Sequence, residues 1–483
     1  MSLAGPPTPS SSPLRRIVAD VAAERRVEVP FPAGETSFDL GRTRRFGADP
    51  LPLLLALYER FGPVFTLRIL HQNVVFMLGP AANHYVNVSH ADAFCWREGH
   101  MGDLIPLLGD GLLTIDGDFH RRSRQIMLPA FHHERIAATV ETMVAEVRAA
   151  LAGLRAGDRL DVYAWTRRLA MRIAMRALFG LDPDAAGARG VDAAAQFERA
   201  LAFYSRDYLM QVLRGPHTPF GRMQQARKAL DTMIYAEIAR RRSAGARRED
   251  ILSLLLDATD EDGGRLSDAH VRDEVMTLLF AGHDTTTSTV AFLAYELAGH
   301  PAASARLAQE RESVLGPGEP PAAQLGRAAL PELDMVLDET LRLYPPAWIG
   351  PRRSTRTFEF EGVRVPGGIP VNYCSWASHH LADVFSDPES FRPERFGAEA
   401  RARLPKGAYI PFGGGSRMCI GMRFGQMEIR VIASLLLERF DLELAAGYRL
   451  DIRQMPTIGP REGMPVILRQ PARAPVRSLP AAA

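Results

Sequence analysis

Cysteine is scarce in this chain: only Cys95, Cys374 and Cys419 occur among 483 residues, too few for a disulfide framework or paired zinc knuckles. Such usage suits a reducing interior. Net charge is scarce too, because 58 Lys+Arg stand against 56 Asp+Glu, and no overall basic field marks nucleic acid or an anionic membrane as a partner. Long apolar runs are missing; the nearest, Leu51–Leu57, falls far short of the roughly 18 residues of a transmembrane segment. The start, 1–13, is rich in Pro and Ser without an apolar signal core, so a cytoplasmic chain is expected.

One cysteine does sit in a built setting: Phe412-Gly413-Gly414-Gly415-Ser416-Arg417-Met418-Cys419-Ile420-Gly421. A thiolate needs neighbours that stabilise negative charge and exclude water. Gly413, Gly414 and Gly415 let the backbone turn and aim N–H groups at an anion, and Gly421 opens the following helix to a flat ligand. Phe412 can wall off the sulfur, and Arg417 can fork onto a carboxylate. The plain alternative is a glycine turn before a helix, with Cys419 a small buried hydrophobe.

The spacing Phe-x-x-Gly-x-Arg-x-Cys-x-Gly resembles the haem-binding loop of the cytochrome P450 monooxygenases. The resemblance implies a mainly α fold with small β-sheets (α+β), a haem b cofactor, and Cys419 as the iron ligand, pushing electron density onto the metal. It covers about residues 45 to 468 as one domain, leaving 1–44 as a flexible tail and lead-in and 469–483 as a disordered tail.

Other stretches acquire roles in that light. Ser267 caps a helix reaching about His300, whose middle, Met276 to Thr286, mixes apolar residues with Gly282, Asp284, Thr285 and Thr286. Hydroxyls bonding one turn back and a glycine predict a kink or opening where Ala281 and Thr285 share a face. Ala281-Gly282-His283-Asp284-Thr285-Thr286 matches the family's oxygen-activation segment, implying Thr285 at the bound oxygen and Asp284 in proton relay; His283 receives no role. His120 and Arg124, four apart on a predicted helix, can clamp a propionate, although an arginine-rich helix face is by itself usually just solvated. Arg352 falls where the family uses a propionate-binding arginine. Glu339 and Arg342 can pair, and the resemblance adds Arg395 to a buried structural network behind the cysteine loop. Leu112, Leu113, Phe280, Ala281, Trp348, Ile349, Thr457 and Ile458 are expected to line an apolar substrate pocket, with Phe203–Val212 as a lid.

The implied activity is hydroxylation or epoxidation of a hydrophobic small molecule with O2. Electrons would come from a ferredoxin or flavodoxin with an NAD(P)H-dependent reductase, since no flavin or iron–sulfur segment is visible; Arg417, Arg423 and Arg430 are candidates to meet that partner, and the chain is expected to be a monomer. A peroxide-using haem-thiolate hydroxylase or isomerase would share Cys419, and a haem sensor or electron carrier would close the sixth iron position with a protein ligand.

Overall fold

In the computed structural model, which describes residues 13–184, 192–204, 206, 208–244, 250–258 and 265–471, everything is arranged around the helix Asp268–Gly299. Ser267 starts it, its hydroxyl accepting the His270 N–H at 3.2 Å. Most of its length is buried, and that burial takes in polar side chains such as Arg272, Glu274, Asp284 and Thr286 as well as apolar ones. Helices Val162–Ile173, Pro331–Leu343 and Met422–Arg439 pack against it. The segment is α-helical from end to end, and the hydroxyls of Thr285, Thr287 and Thr289 donate to the Ala281, His283 and Thr285 carbonyls at 2.7, 2.7 and 2.9 Å.

A six-stranded sheet lies to one side, in the order Gly34–Glu35, Val64–Ile69, Gln72–Met77, Pro370–Cys374, Ile349–Ser354, Phe94–Cys95. The first and third neighbour pairs are parallel and the rest antiparallel. A smaller antiparallel sheet joins Asp441–Leu444, Pro465–Arg469 and Arg159–Asp161. The last of these is a three-residue strand paired some 300 residues away, which carries no local signature.

The lead-in is more ordered than a flexible segment. Pro13–Glu24 is a helix tied to the sheet by Glu24–Arg68 at 2.9 Å and Asp20–Arg353 at 2.6 Å. Residues 1–12 and 472–483 of the expected tails, and Ser205 and Asp207 of the expected lid, lie outside the described residues. The segment that leads to Leu112 and Leu113 contains a short turn His100–Leu104 and one helical turn Ile105–Leu108, ended by Gly109 at φ 78°. Among the described residues no helix is long and apolar enough to cross a membrane.

Glu339 and Arg342 are fully buried and doubly bonded at 2.7 and 2.8 Å. Arg395 adds a third contact to Glu339 at 3.3 Å, and the Arg342 guanidinium also donates to the carbonyls of His379, Pro388 and Ser390. The turn-rich segment 379–395 that precedes the cysteine loop is thereby pinned to the helix Pro331–Leu343. Arg342→Leu strands the Glu339 carboxylate and is expected to lower the unfolding free energy by about 3–5 kcal/mol. Denaturant titration followed by circular dichroism reads the loss; a change below about 1 kcal/mol would mean that the network does not hold this region.

Candidate active site

The cysteine loop is built from backbone conformations that need glycine. Gly413 and Gly415 have φ of 69° and 59°, and a Cβ at Gly415 would lie 2.1 Å from the Asn87 carbonyl. The Cys419 N–H donates to the Phe412 carbonyl at 2.9 Å, closing the loop before Gly421 leads into the helix Met422–Arg439. Phe412 packs on the main core from a half-buried position. Cys419 is exposed, yet enough protein surrounds it to desolvate its thiol. Burial raises its thiol pKa, opposed by the Gly421 N–H and the charge of Arg124.

Several cations share that region. Burial, together with the charges of Arg417 and Arg124, lowers His120 to about 3, so its imidazole is neutral. Burial likewise lowers Arg417 to about 10, with Asp116 opposing and Arg352 adding to the fall. Arg352 is buried, lies 3.6 Å over the Trp96 ring, and donates to Asn87 Oδ1 at 3.3 Å. Arg417 lies over the same ring at 5.1 Å and pairs with Asp116 at 2.5 Å. Among the described residues neither Arg124 nor Arg352 has a carboxylate ion-pair partner. The cluster therefore carries more positive charge than its one close carboxylate balances, and a thiol stands beside it. A haem, with two propionates and an iron that takes a thiolate, fits both features.

On the long helix, Ala281, Gly282 and Thr285 stay partly open while their neighbours are buried. Thr286 donates to Glu428 at 3.0 Å, joining this segment to the helix that follows Cys419. Asp284 is fully buried and ion-paired with Arg167 at 2.8 Å, and it also accepts from the Thr457 hydroxyl. Burial alone would raise its pKa, yet Arg167, Arg453 and the Thr457 hydrogen bond hold it below the usual carboxylate range. His283 is buried near the Phe197 ring, and burial holds it at about 4.

The pocket candidates divide between two places. Leu112 and Phe280 are buried in the main core cluster, with Leu113 packed against it from a half-buried position. Trp348 and Ile458 sit instead in a second cluster with Phe76, Phe292 and Trp376, and the Trp348 indole donates to the Gln454 carbonyl at 2.8 Å. Ile349 packs at the edge of that cluster. Asp116, Trp96, Asn87 and Arg167 were not anticipated: single polar residues far apart in the chain carry no motif. Cys374 is fully buried, and its thiol is pushed up to about 12 by burial, as an inert core residue should be.

Comparison with known proteins agrees with this geometry. The family model Cytochrome P450 matches residues 43–461. Cytochrome P450 139 of Mycobacterium tuberculosis is 32% identical, covering 87% of this chain and 98% of its own. Cyclooctat-9-en-7-ol 5-monooxygenase of Streptomyces melanosporofaciens is 35% identical, covering 71% and 75%. The solved structure of retinoic acid-bound cyanobacterial CYP120A1 superposes with a TM-score of 0.80 at 28% identity, over 92% of this chain and all of that one. The chain belongs to the cytochrome P450 family: it is an oxidoreductase of the monooxygenase type that incorporates molecular oxygen, and the family implies a haem cofactor.

Because Arg124 has no protein carboxylate to lose, Arg124→Gln is expected to weaken haem retention without unfolding the chain. Loss of a charge-assisted hydrogen bond at about 1.5–3 kcal/mol corresponds to roughly 10- to 100-fold faster haem transfer to apomyoglobin. Transfer at the wild-type rate would remove Arg124 from the haem cradle.

Proposed function

We propose that the chain is a haem b monooxygenase that hydroxylates or epoxidises a hydrophobic small molecule, with Cys419 as metal ligand and the Asp284–Thr285 pair serving oxygen activation. The observation that carries this reading is the cysteine beside a surplus of cations, joined through Glu428 and Thr286 to a helix segment left partly open at Ala281 and Thr285. When bound, haem supplies the activation of O2, with the thiolate donating to iron. His120, Arg124, Arg352 and Arg417 would hold the propionates, and Phe412 would shield the sulfur.

The chain's own part is to manage protons and exclude water. Thr285 donates its hydroxyl hydrogen to Ala281, which leaves the oxygen lone pairs free to accept a hydrogen bond in the cleft. Asp284 is held ionised by Arg167 and Thr457, so it accepts a proton at a carboxylate oxygen and passes it on only by loosening one of those contacts.

Electrons come from a ferredoxin or flavodoxin with its NAD(P)H-dependent reductase, and the protein works as a cytoplasmic monomer. Of the three arginines considered for docking, Arg417 is occupied by Asp116, and Arg430 by Asp334 at 3.2 Å and the Ala328 carbonyl. Arg423 remains exposed on the helix after the ligand loop and is the better candidate. The unsaturated alcohol named for one similar protein and the retinoic acid bound to another support a hydrocarbon frame that bears oxygen.

Reduced holoprotein exposed to carbon monoxide is expected to show the red-shifted absorption of thiolate ligation, and Cys419→Ala to lose it along with turnover. In Thr285→Ala, product per electron consumed should fall by roughly tenfold or more, with oxygen recovered as peroxide. Unchanged coupling would remove Thr285 from the mechanism.

A further inference from the structure

Three consecutive residues of the long helix grip the loop that carries Leu112 and Leu113. Arg272 donates to the carbonyls of Leu108 and Leu107 at 3.0 and 3.3 Å. Asp273 accepts the Asp110 N–H at 2.8 Å, and Glu274 accepts the Leu112 N–H at 2.9 Å through Oε2. The fit demands glycine twice: a Cβ at Gly109 would lie 2.2 Å from the Asp273 carboxylate, and one at Gly111 would lie 2.1 Å from the Thr277 hydroxyl.

This grip leaves two polar atoms over. Glu274 and Thr277 are 2% and 3% exposed, and neither Glu274 Oε1 nor Thr277 Oγ1 has a hydrogen-bond partner. An unsatisfied buried polar atom costs about 1–3 kcal/mol, so two of them one turn apart mark a place where a polar ligand atom would be stabilised. At 100° per residue, Glu274, Thr277, Ala281 and Thr285 fall within about 80° of one another and share one strip of the helix. At 1.5 Å per residue, Thr277 and Glu274 lie about 12 and 16 Å from Thr285 along it. Burial raises the Glu274 carboxyl to about 8, against the pull of the Leu112 N–H and with help from Asp273, so near neutral pH it still carries a hydrogen to donate. The neighbours on this side, Leu112 and Leu278, are apolar and buried.

We propose that Glu274 and Thr277 form a polar anchor for a hydroxyl oxygen on an otherwise hydrocarbon substrate, setting which distant carbon reaches Thr285. The anchor rests on the monooxygenase reading and narrows the substrate to long hydrophobic alcohols. The Glu274 carboxyl donates to the ligand oxygen, and the Thr277 hydroxyl donates to or accepts from it. Glu274 does so while keeping Oε2 on the loop.

The test uses ferric holoprotein titrated with farnesol and geranylgeraniol and with the matching hydrocarbons that lack the hydroxyl, read by the spin-state shift of the haem spectrum. Wild type is expected to bind each alcohol about tenfold more tightly than its hydrocarbon. Thr277→Val and Glu274→Leu should bring that ratio close to one, whereas Glu274→Gln, which keeps an acceptor for Leu112 and an N–H donor, should preserve most of it. Equal binding of alcohol and hydrocarbon by wild type, binding of neither, or a ratio that survives both Thr277→Val and Glu274→Leu would overturn the anchor. The reduced carbon monoxide spectrum of the same samples separates the two readings: its red-shifted band with no alcohol preference refutes the anchor alone, and its absence refutes haem-thiolate ligation itself.

Discussion

A sulfur that must carry negative charge inside a protein sets the terms for the rest of this fold. Desolvation alone keeps the Cys419 thiol protonated, and the groups the chain places nearby to oppose it are a backbone N–H and the Arg124 guanidinium. A coordinated metal would complete that opposition, since a ligating thiol is deprotonated outright. The surplus of cations at buried Arg352 and half-buried Arg124 and Arg417 is costly without anions to meet it, so the same region asks for a negatively charged ligand. One flat, dianionic, iron-bearing group answers both demands.

The long helix shows how a buried element accommodates polar side chains. Its threonines at 285, 287 and 289 return their hydrogens to the helix itself, and Thr286 is taken by Glu428. Asp284 is neutralised by Arg167 and hydrogen-bonded by Thr457 from opposite ends of the chain. Glu274 and Thr277 each leave one polar atom unsatisfied, and His283 and Ser288 leave others further along; the first two stand out because they lie one turn apart against the loop that carries Leu112. Two unsatisfied polar atoms side by side are where a ligand has something to gain.

The structural network at Glu339, Arg342 and Arg395 works by the opposite logic. Every donor of the Arg342 fork is used, on a carboxylate and on three backbone carbonyls, so the charges cost little to bury and a great deal to separate. It fixes the segment leading to the ligand loop without touching the site chemistry.

The helices Pro50–Phe61 and Pro331–Leu343 were legible from the chain alone, because proline at each start and the apolar spacing are local signals. So was the cysteine loop, whose glycines and ligand are contiguous and whose left-handed turns leave few alternatives. The residues that balance the site were not: Asp116, Trp96 and Arg167 reach it from separate elements, and a lone polar side chain looks the same in sequence whether it faces solvent or a buried charge. Nor can alternation along an extended segment say which neighbour points inward. The chain placed Trp348 and Ile349 side by side, but only packing against Phe76 and Trp376 put the indole in a second core. The sequence by itself determined the family, the ligand sulfur and the polar interruption of the long helix, since each is written in adjacent residues. Tertiary structure alone decided which charges meet, which hydroxyls are spent and which are left over, because those outcomes depend on distances between segments that no local pattern encodes.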